Sequence, residues 1–482
     1  MIAIGSRREL LVDDALMERL EGGAALCLHQ PVMREVALVC DRPWEGNMCG
    51  GYKTYFRDGD RFRLYYQAWH GDIVEDGEQT SLREAPIRIG YLESGDGIHW
   101  ERPELGLIEF NGSSANNITF IGFGPDAIGV HGFAPFKDSN PDCAPEARYK
   151  AVGASDTWPS ALYALQSPDG LRWSLMREEK LAMAGDFDSQ NLAFWDARRG
   201  EYRLYFRQSN AHGRDIRTCT SPDFLHWSEP EWLAYPGAPH EQLYTNMILP
   251  YYRAPHLFVG FPARYVERPW SPSIEALPEL EHRRLRAKAS ERYGAAVSDG
   301  LFMSSRDGRT FRRWGEAFIR PGLRPTGSWA YGDCYQGWGL LETASDIPGA
   351  PNELSCYVSD GYWRGTANAI RRYTLRLDGF VSLTAPLAGG EMVTQPFTFA
   401  GERLSLNIAT SAGGSAKVEL QDAGGIPLPG YALDDCWEII GDTLDYTVRW
   451  KAGADVRALS GRPVRMRVAL RDADWYSFAF CP

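Results

Sequence analysis

The chain has 482 residues, 44% hydrophobic and 24% charged, the make-up of a soluble globular protein too long for one ordinary core. A net charge of −12 argues against nucleic acid or an anionic membrane as partner, since both require basic surface. Nine scattered cysteines without a Cys-x-x-Cys pair argue against a disulfide framework or structural zinc. No run reaches the roughly 18 apolar residues of a membrane span, and the first residues lack the order of a signal peptide, so a cytoplasmic location is expected.

Residues 1–35 read as a lead-in that packs on the larger domain. Glu9 to Asp14 suggests a strand entering a turn, and Ala15 to Leu20 a short helix. From residue 36 to 385 the pattern becomes repetitive. Gly51 to Phe56 and Arg61 to Gln67 alternate as strands around the hairpin turn Arg57-Asp58-Gly59-Asp60, and a third strand runs from Ile87 to Leu92. Asn191 to Trp195 and Glu201 to Arg207 repeat that layout, with Arg-Leu-Tyr-aromatic at the same place in both units. Further units run over about 126–176, 241–314 and 329–383, and the fourth carries a charged helical insertion from Pro278 to Tyr293 that reads as a solvated surface helix or an oligomer contact.

One turn punctuates the repeats. Ser94-Gly95-Asp96-Gly97-Ile98-His99-Trp100 returns as Ser167-Pro168-Asp169-Gly170-Leu171-Arg172-Trp173 and as Ser221-Pro222-Asp223-Phe224-Leu225-His226-Trp227; Ser305-Arg306-Asp307-Gly308-Arg309-Thr310-Phe311 is a fourth copy. Serine and aspartate cap such a turn with their side chains, and glycine supplies the left-handed backbone. Five units predict an all-β chain whose main body is a five-bladed β-propeller. Residues 386–482 alternate strongly, with turn signals near every ten residues, and predict a C-terminal β-sandwich.

In a propeller the loops leading to the first strand of each blade converge on one mouth of the axis. Those approach loops are 41–47, 126–132, 185–191, 240–246 and 329–336. They hold Glu45, Gln190, Glu241, Gln242 and Gln336, residue types that turns disfavour, beside the aromatic faces Trp44, Tyr244, Trp329 and Tyr335. Carboxylates, amides and flat rings together suit a polyhydroxylated ligand. Candidate binding residues are Trp44, His131, Gln190, Asn191, Tyr244, Asn246, Asp333, Tyr335 and Gln336. No metal-ligand motif stands out and no cofactor is expected, although a structural cation in the channel is compatible with the pattern.

This layout, with its Ser-x-Asp-Gly-x-x-Trp turns and carboxylates in the approach loops, resembles the five-bladed propeller glycoside hydrolases of families 32, 43, 68 and 130. The propeller-then-sandwich order resembles family 32, and in particular an uncharacterised bacterial branch similar to that family's N-terminal domain. The fructosidase signatures Trp-Met-Asn-Asp-Pro-Asn-Gly, Arg-Asp-Pro and Glu-Cys are missing. The resemblance implies three carboxylates from different blades, which by position are Glu45 (base or nucleophile), Asp188 (orienting) and Glu241 (acid), with Asp186 and Asp333 in reserve. It implies glycosidase activity on a small oligosaccharide or glycoside. Phosphorolysis and non-catalytic sugar binding are the alternatives.

Overall fold

The computed structural model describes the chain except residues 1, 78, 158–159, 323–328, 330–331 and 364–367. It is almost entirely β. Among the described residues, no helix is long and apolar enough to cross a membrane.

Five four-stranded antiparallel sheets succeed one another. The first joins Lys53–Asp58, Arg61–Ala68, Arg88–Ser94 and Ile118–Phe120. The second joins His131–Lys137, Tyr149–Ala154, Leu162–Ser167 and Ser174–Leu175. The third joins Leu192–Asp196, Glu201–Asn210, Gly213–Ser221 and Glu231–Trp232. Leu249–Tyr251, Ala254–Gly260, Met303–Ser305 and Arg312–Arg313 make the fourth. The fifth takes Leu341–Thr343, Glu353–Asp360 and Ala369–Arg376 from late in the chain and its outer strand, Val32–Val39, from the beginning.

Side chains from or beside all five sheets meet around Trp338. Its backbone bridges Thr54, its indole Nε1 donates to Ile248 O at 2.9 Å, and its ring lies 6.5 Å from Phe136 and 6.3 Å from Phe194. Across the same centre, Gln190 Nε2 donates to Thr54 Oγ1 at 2.9 Å.

The four expected turns share the aspartate half of one hydrogen-bond pattern, and the three with glycine share the serine half as well. In the first copy Ser94 Oγ accepts from Gly97 N at 2.9 Å, and Asp96 Oδ1 accepts from Ile98 N and His99 N at 2.8 Å each. Asp169, Asp223 and Asp307 accept from the equivalent amides. Gly97, Gly170 and Gly308 hold φ between 72° and 78°, and Phe224 takes the same place at φ 71°. Its ring is fully buried, 5.7 Å from Phe136 and 5.1 Å from Tyr202. Burying a phenyl ring is worth about 1.5–3 kcal/mol, which offsets the roughly 1–2 kcal/mol of a left-handed backbone.

The expected lead-in of 1–35 is divided between two units. Ile2–Gly5, Glu9–Leu10, Met17–Gly22 and Ala25–Leu28 pair with strands of residues 381–481, and only Val32–Val39 joins the five-sheet body. The helix expected at 15–20 is instead the strand Met17–Gly22, because Gly390–Thr394 offers it a pairing edge that local propensity cannot reveal. The boundary expected at 385 shifts as well, since Val381–Ala385 pairs with Ala25–Leu28 and Val464–Cys481. In the region of the expected sandwich the strands hydrogen-bond into one connected ladder of ten strands. Two long strands, Arg403–Asp422 and Val464–Cys481, carry it past an irregularity between Thr410 and Ser415. This unit has its own core, including Trp450, Trp475 and Phe478.

Ion pairs knit the two units together. Buried Asp378 accepts from Arg253 Nε at 2.8 Å, Tyr251 Oη at 2.7 Å and Ser477 Oγ at 2.8 Å. Arg306 reaches both Glu9 and Asp13.

The predicted insertion forms helices Leu280–Ala289 and Glu291–Ala295 after a short turn, Pro272–Glu275. It is not the freely solvated helix expected. Arg283 and Arg286 are buried: Arg283 donates to the carbonyls of Ile274, Leu277, Pro278 and Gly294, and Arg286 to that of Trp363. Lys288 meets Glu75 at 2.5 Å on the hairpin Gly71–Asp76/Gln79–Glu84, which leaves the first sheet between its second and third strands.

Candidate active site

The hairpin and the helical insertion rise beside the approach loops, and between them lies a cavity of about 220 Å³. Tyr52 comes from the turn before the first sheet, and Gln67 and Trp69 from the end of its second strand. His131 opens the second sheet, while Asp188, Tyr244 and Tyr335 precede the first strands of the third, fourth and fifth sheets. Glu84 ends the hairpin, Arg292 and Tyr293 sit on the last helix, and Tyr362 and Trp363 follow Glu353–Asp360.

Loop backbones pack tightly here. Asn191 N donates to Gly132 O at 3.2 Å, and a Cβ on Gly132 (φ 61°) would stand 2.1 Å from Ser189 O, so only glycine fits.

Aromatic faces dominate the wall. Tyr244 lies 5.5 Å from both Tyr265 and Tyr335, Trp69 meets His131 edge-on at 5.9 Å, and Tyr293 meets Trp363 at 5.1 Å. Burial pushes the phenols of Tyr52, Tyr335 and Tyr362 well above their ordinary value, so their hydroxyls stay neutral.

Two carboxylates face the cavity in different settings. Asp188 is ion-paired through Oδ1 to the buried guanidinium of Arg207, which also lies 4.4 Å over the Tyr244 ring. Glu84 sits at the rim, reached by solvent yet flanked by protein. Burial raises its pKa above the ordinary carboxylate value, His131 opposes that shift, and Asp156 adds to it. His131 Nδ1 stands 3.4 Å from Asp156 Oδ1, and its Nε2 has no hydrogen-bond partner among the described residues. A carboxyl group that keeps its proton unusually long beside an ion-paired carboxylate is an arrangement suited to acid–base chemistry.

The sequence-derived candidates divide into three groups. Asp188, His131, Tyr244 and Tyr335 line the cavity. Gln190, Asn191, Asn246 and Gln336 are buried, and each keeps at least one polar side-chain atom without a partner among the described residues. Gln190 reaches Thr54 of the first sheet.

The remaining candidates are structural and do not line the cavity. Glu45 is fully buried, accepting from Tyr66 Oη at 2.6 Å, Arg102 Nε at 2.9 Å, Arg102 Nη2 at 3.1 Å and Arg42 N at 2.9 Å; no oxygen is left for a substrate. Glu241 bridges Arg264 and Arg313; burial acts to raise its pKa, but the two guanidinium partners hold it below the ordinary value, the wrong direction for a general acid. Trp44 turns its Nε1 to Asn117 at 2.8 Å and its ring toward Phe110. Asp333 accepts from Gly361 N at 2.7 Å and Tyr362 N at 3.0 Å, positioning Tyr362. Of the reserves, Asp186 accepts from Ser209 N at 2.7 Å. Residues 330 and 331 of the fifth approach loop lie outside the described residues.

Glu84, Trp69, Arg292 and Trp363 also line the cavity and were not singled out from the sequence. The signal available was the alternation of 71–84, a hairpin inserted between the second and third strands of the first sheet. Among the described residues, no group of three or more His, Cys, Asp or Glu could hold a metal ion.

No family model matches the chain. It is 27% identical over 168 residues to the uncharacterized protein Rv1502 of Mycobacterium tuberculosis, a match spanning 34% of this chain and about half (47%) of that relative. Among solved structures it is similar to a glycoside hydrolase at 12% identity, covering 72% of this chain and 92% of the other with TM-score 0.44. A second similar structure is from the GH130 family of mannoside phosphorylases, which contains glycoside hydrolases that target β-1,2 mannosidic linkages in Candida mannan (13% identity, 72% and 94% covered, TM-score 0.42). A third is an α-L-arabinofuranosidase of Fusarium graminearum (10% identity, 74% and 99% covered, TM-score 0.40).

Proposed function

We propose that the chain is a glycoside-cleaving enzyme built on a five-bladed propeller, with its active site in the cavity lined by Glu84 and Asp188. The observation that carries this reading is the pairing of two carboxylates in one aromatic-walled cavity: one has its pKa raised, and the other is held by a buried arginine. Glu84 is the general acid that protonates the leaving oxygen. Asp188 is the base or nucleophile on the opposite side, oriented by Arg207. Tyr244, Tyr335 and Trp69 supply flat faces for a sugar ring, and Gln67 and His131 supply hydrogen bonds to hydroxyls. Glu84 thus replaces Glu241 as the acid, and Asp188 replaces Glu45 as the residue acting on the sugar. This gives acid–base cleavage through an oxocarbenium-like transition state, with stereochemistry set by the separation of the two carboxyl groups.

A panel of aryl glycosides assayed against the wild type, Glu84→Gln and Asp188→Asn tests it. Turnover by the wild type and its loss in both variants, with folding intact, is the expected result. Activity should fall on the alkaline side as Glu84 loses its proton, and that limb should disappear for substrates whose leaving group needs no protonation. Turnover unaffected by either substitution would remove the assignment. Arg207 and Arg292 beside the cavity favour a second reading, phosphorolysis. Phosphate-dependent release of a sugar 1-phosphate would establish it.

A further inference from the structure

A second concavity opens around the far ends of the strands whose starts carry the active-site loops. It has a volume of about 600 Å³, within the range of roughly 300–1,000 Å³ usual for small-molecule sites. Phe56, Phe136, Phe194, Trp195, Tyr252 and Trp338 form most of its wall, and Trp338, at the meeting point of the five sheets, is its floor. None of these six residues touches the Glu84–Asp188 cavity.

The charges at its mouth are of one available sign. Arg57, Lys137 and Arg198 lie on the rim; Lys137 is paired with Asp58 at 2.6 Å, whereas the side chain of Arg198 carries no hydrogen bond or ion pair among the described residues. The two carboxylates in the wall are already committed: Asp138 to Lys150 and Tyr202, and Asp196 to Arg199 at 2.7 Å. On a chain of net charge −12, an aromatic pocket with a cationic rim is a local reversal.

We infer that this pocket binds a small amphipathic anion: a flat apolar body of two or three rings lying against Trp195, Phe194 and Trp338, with one carboxylate or sulfonate directed to Arg198. Ring stacking supplies the affinity, and the rim charge selects anionic over neutral forms of the same body. The inference does not depend on the reaction proposed for the opposite cavity.

The test uses the full chain and two fluorescent probes of the same shape, anionic 8-anilinonaphthalene-1-sulfonate and neutral N-phenyl-1-naphthylamine. Ala197 lies exposed in the turn after Leu192–Asp196, so Ala197→Trp blocks the mouth without touching a core, which an unchanged melting midpoint would verify. One anionic probe should bind per chain. Ala197→Trp should weaken both probes about tenfold or more, Arg198→Glu should weaken only the anionic one by about tenfold, and Asp188→Asn should alter neither. Probe binding indifferent to Ala197→Trp, equal loss of both probes in Arg198→Glu, or displacement of probe by self-association as protein concentration rises would each overturn the inference. The last outcome would assign the pocket to a second copy of the chain.

Discussion

The first approach loop and the cavity beside it use the same kind of residue in opposite ways. Glu45 spends both oxygens on Arg102, Tyr66 and a backbone amide, and has no exposure. Glu84, on a hairpin outside the repeats, faces open space with its pKa raised. Position within a repeat therefore does not tell a carboxylate enclosed in the framework from one that faces the cavity; the count of partners at its oxygens does. Glu241 falls with Glu45, and Asp188 with Glu84.

Substitutions can break this comparison, beginning with the most severe. Glu84→Gln and Asp188→Asn should each cut kcat per folded molecule by about 10²–10⁴-fold. Glu84→Gln should leave the melting midpoint within a degree or two, whereas Asp188→Asn, which strands the buried Arg207 charge, should also lower it; steady-state kinetics and calorimetry check both. Glu45→Gln should do the converse, costing about 3–5 kcal/mol by stranding the Arg102 charge, read as a shift in denaturant midpoint, with kcat per folded molecule preserved. A loss of kcat in well-folded Glu45→Gln would erase the distinction.

Lys53 sharpens the contrast between framework and site. Its ammonium lies buried under the cavity floor, donating to Gly50 O at 2.9 Å and Tyr335 O at 3.0 Å, and burial lowers its pKa to about 7. Between that value and the ordinary 10.5 the unfolded chain holds the proton and the native chain does not. Stability should therefore rise with pH from about 7 to about 10.5 and be flat in this respect below 7. Lys53→Met should remove roughly 3–5 kcal/mol of that pH-dependent change, measured by urea unfolding at pH 7 and 10. An identical pH slope in the variant would show that Lys53 keeps its ordinary pKa. The smallest effect belongs to the repeated turn. Gly170→Ala should cost about 1 kcal/mol for its left-handed backbone, plus any displacement of Arg63 and Tyr65, whose atoms would stand 2.7 and 2.8 Å from the new Cβ.

Elements whose chemistry is local were legible in the sequence. The Ser-Asp turns were, because the bonds their serine and aspartate side chains accept from the turn amides span only two or three residues, as were alternating strands such as Arg61–Ala68. Asp188, His131, Tyr244 and Tyr335, singled out because approach loops converge, do line one cavity. What escaped depends on distant partners. Met17–Gly22 is a strand only through Gly390–Thr394, and Arg102, lying 57 residues beyond Glu45, decides that glutamate's role. Glu84 escaped because it sits on an insertion that breaks the repeat.

The outer strand of the fifth sheet, Val32–Val39, hydrogen-bonds Ala369–Arg376. During synthesis this early segment must wait for more than three hundred residues to be made before its partner exists. Joining such remote stretches carries a large loop-closure entropy and makes assembly slow. Until then Ala369–Arg376 is a bare edge open to another chain, and a protein shortened by its first forty residues would keep that edge for life, at the risk of aggregation.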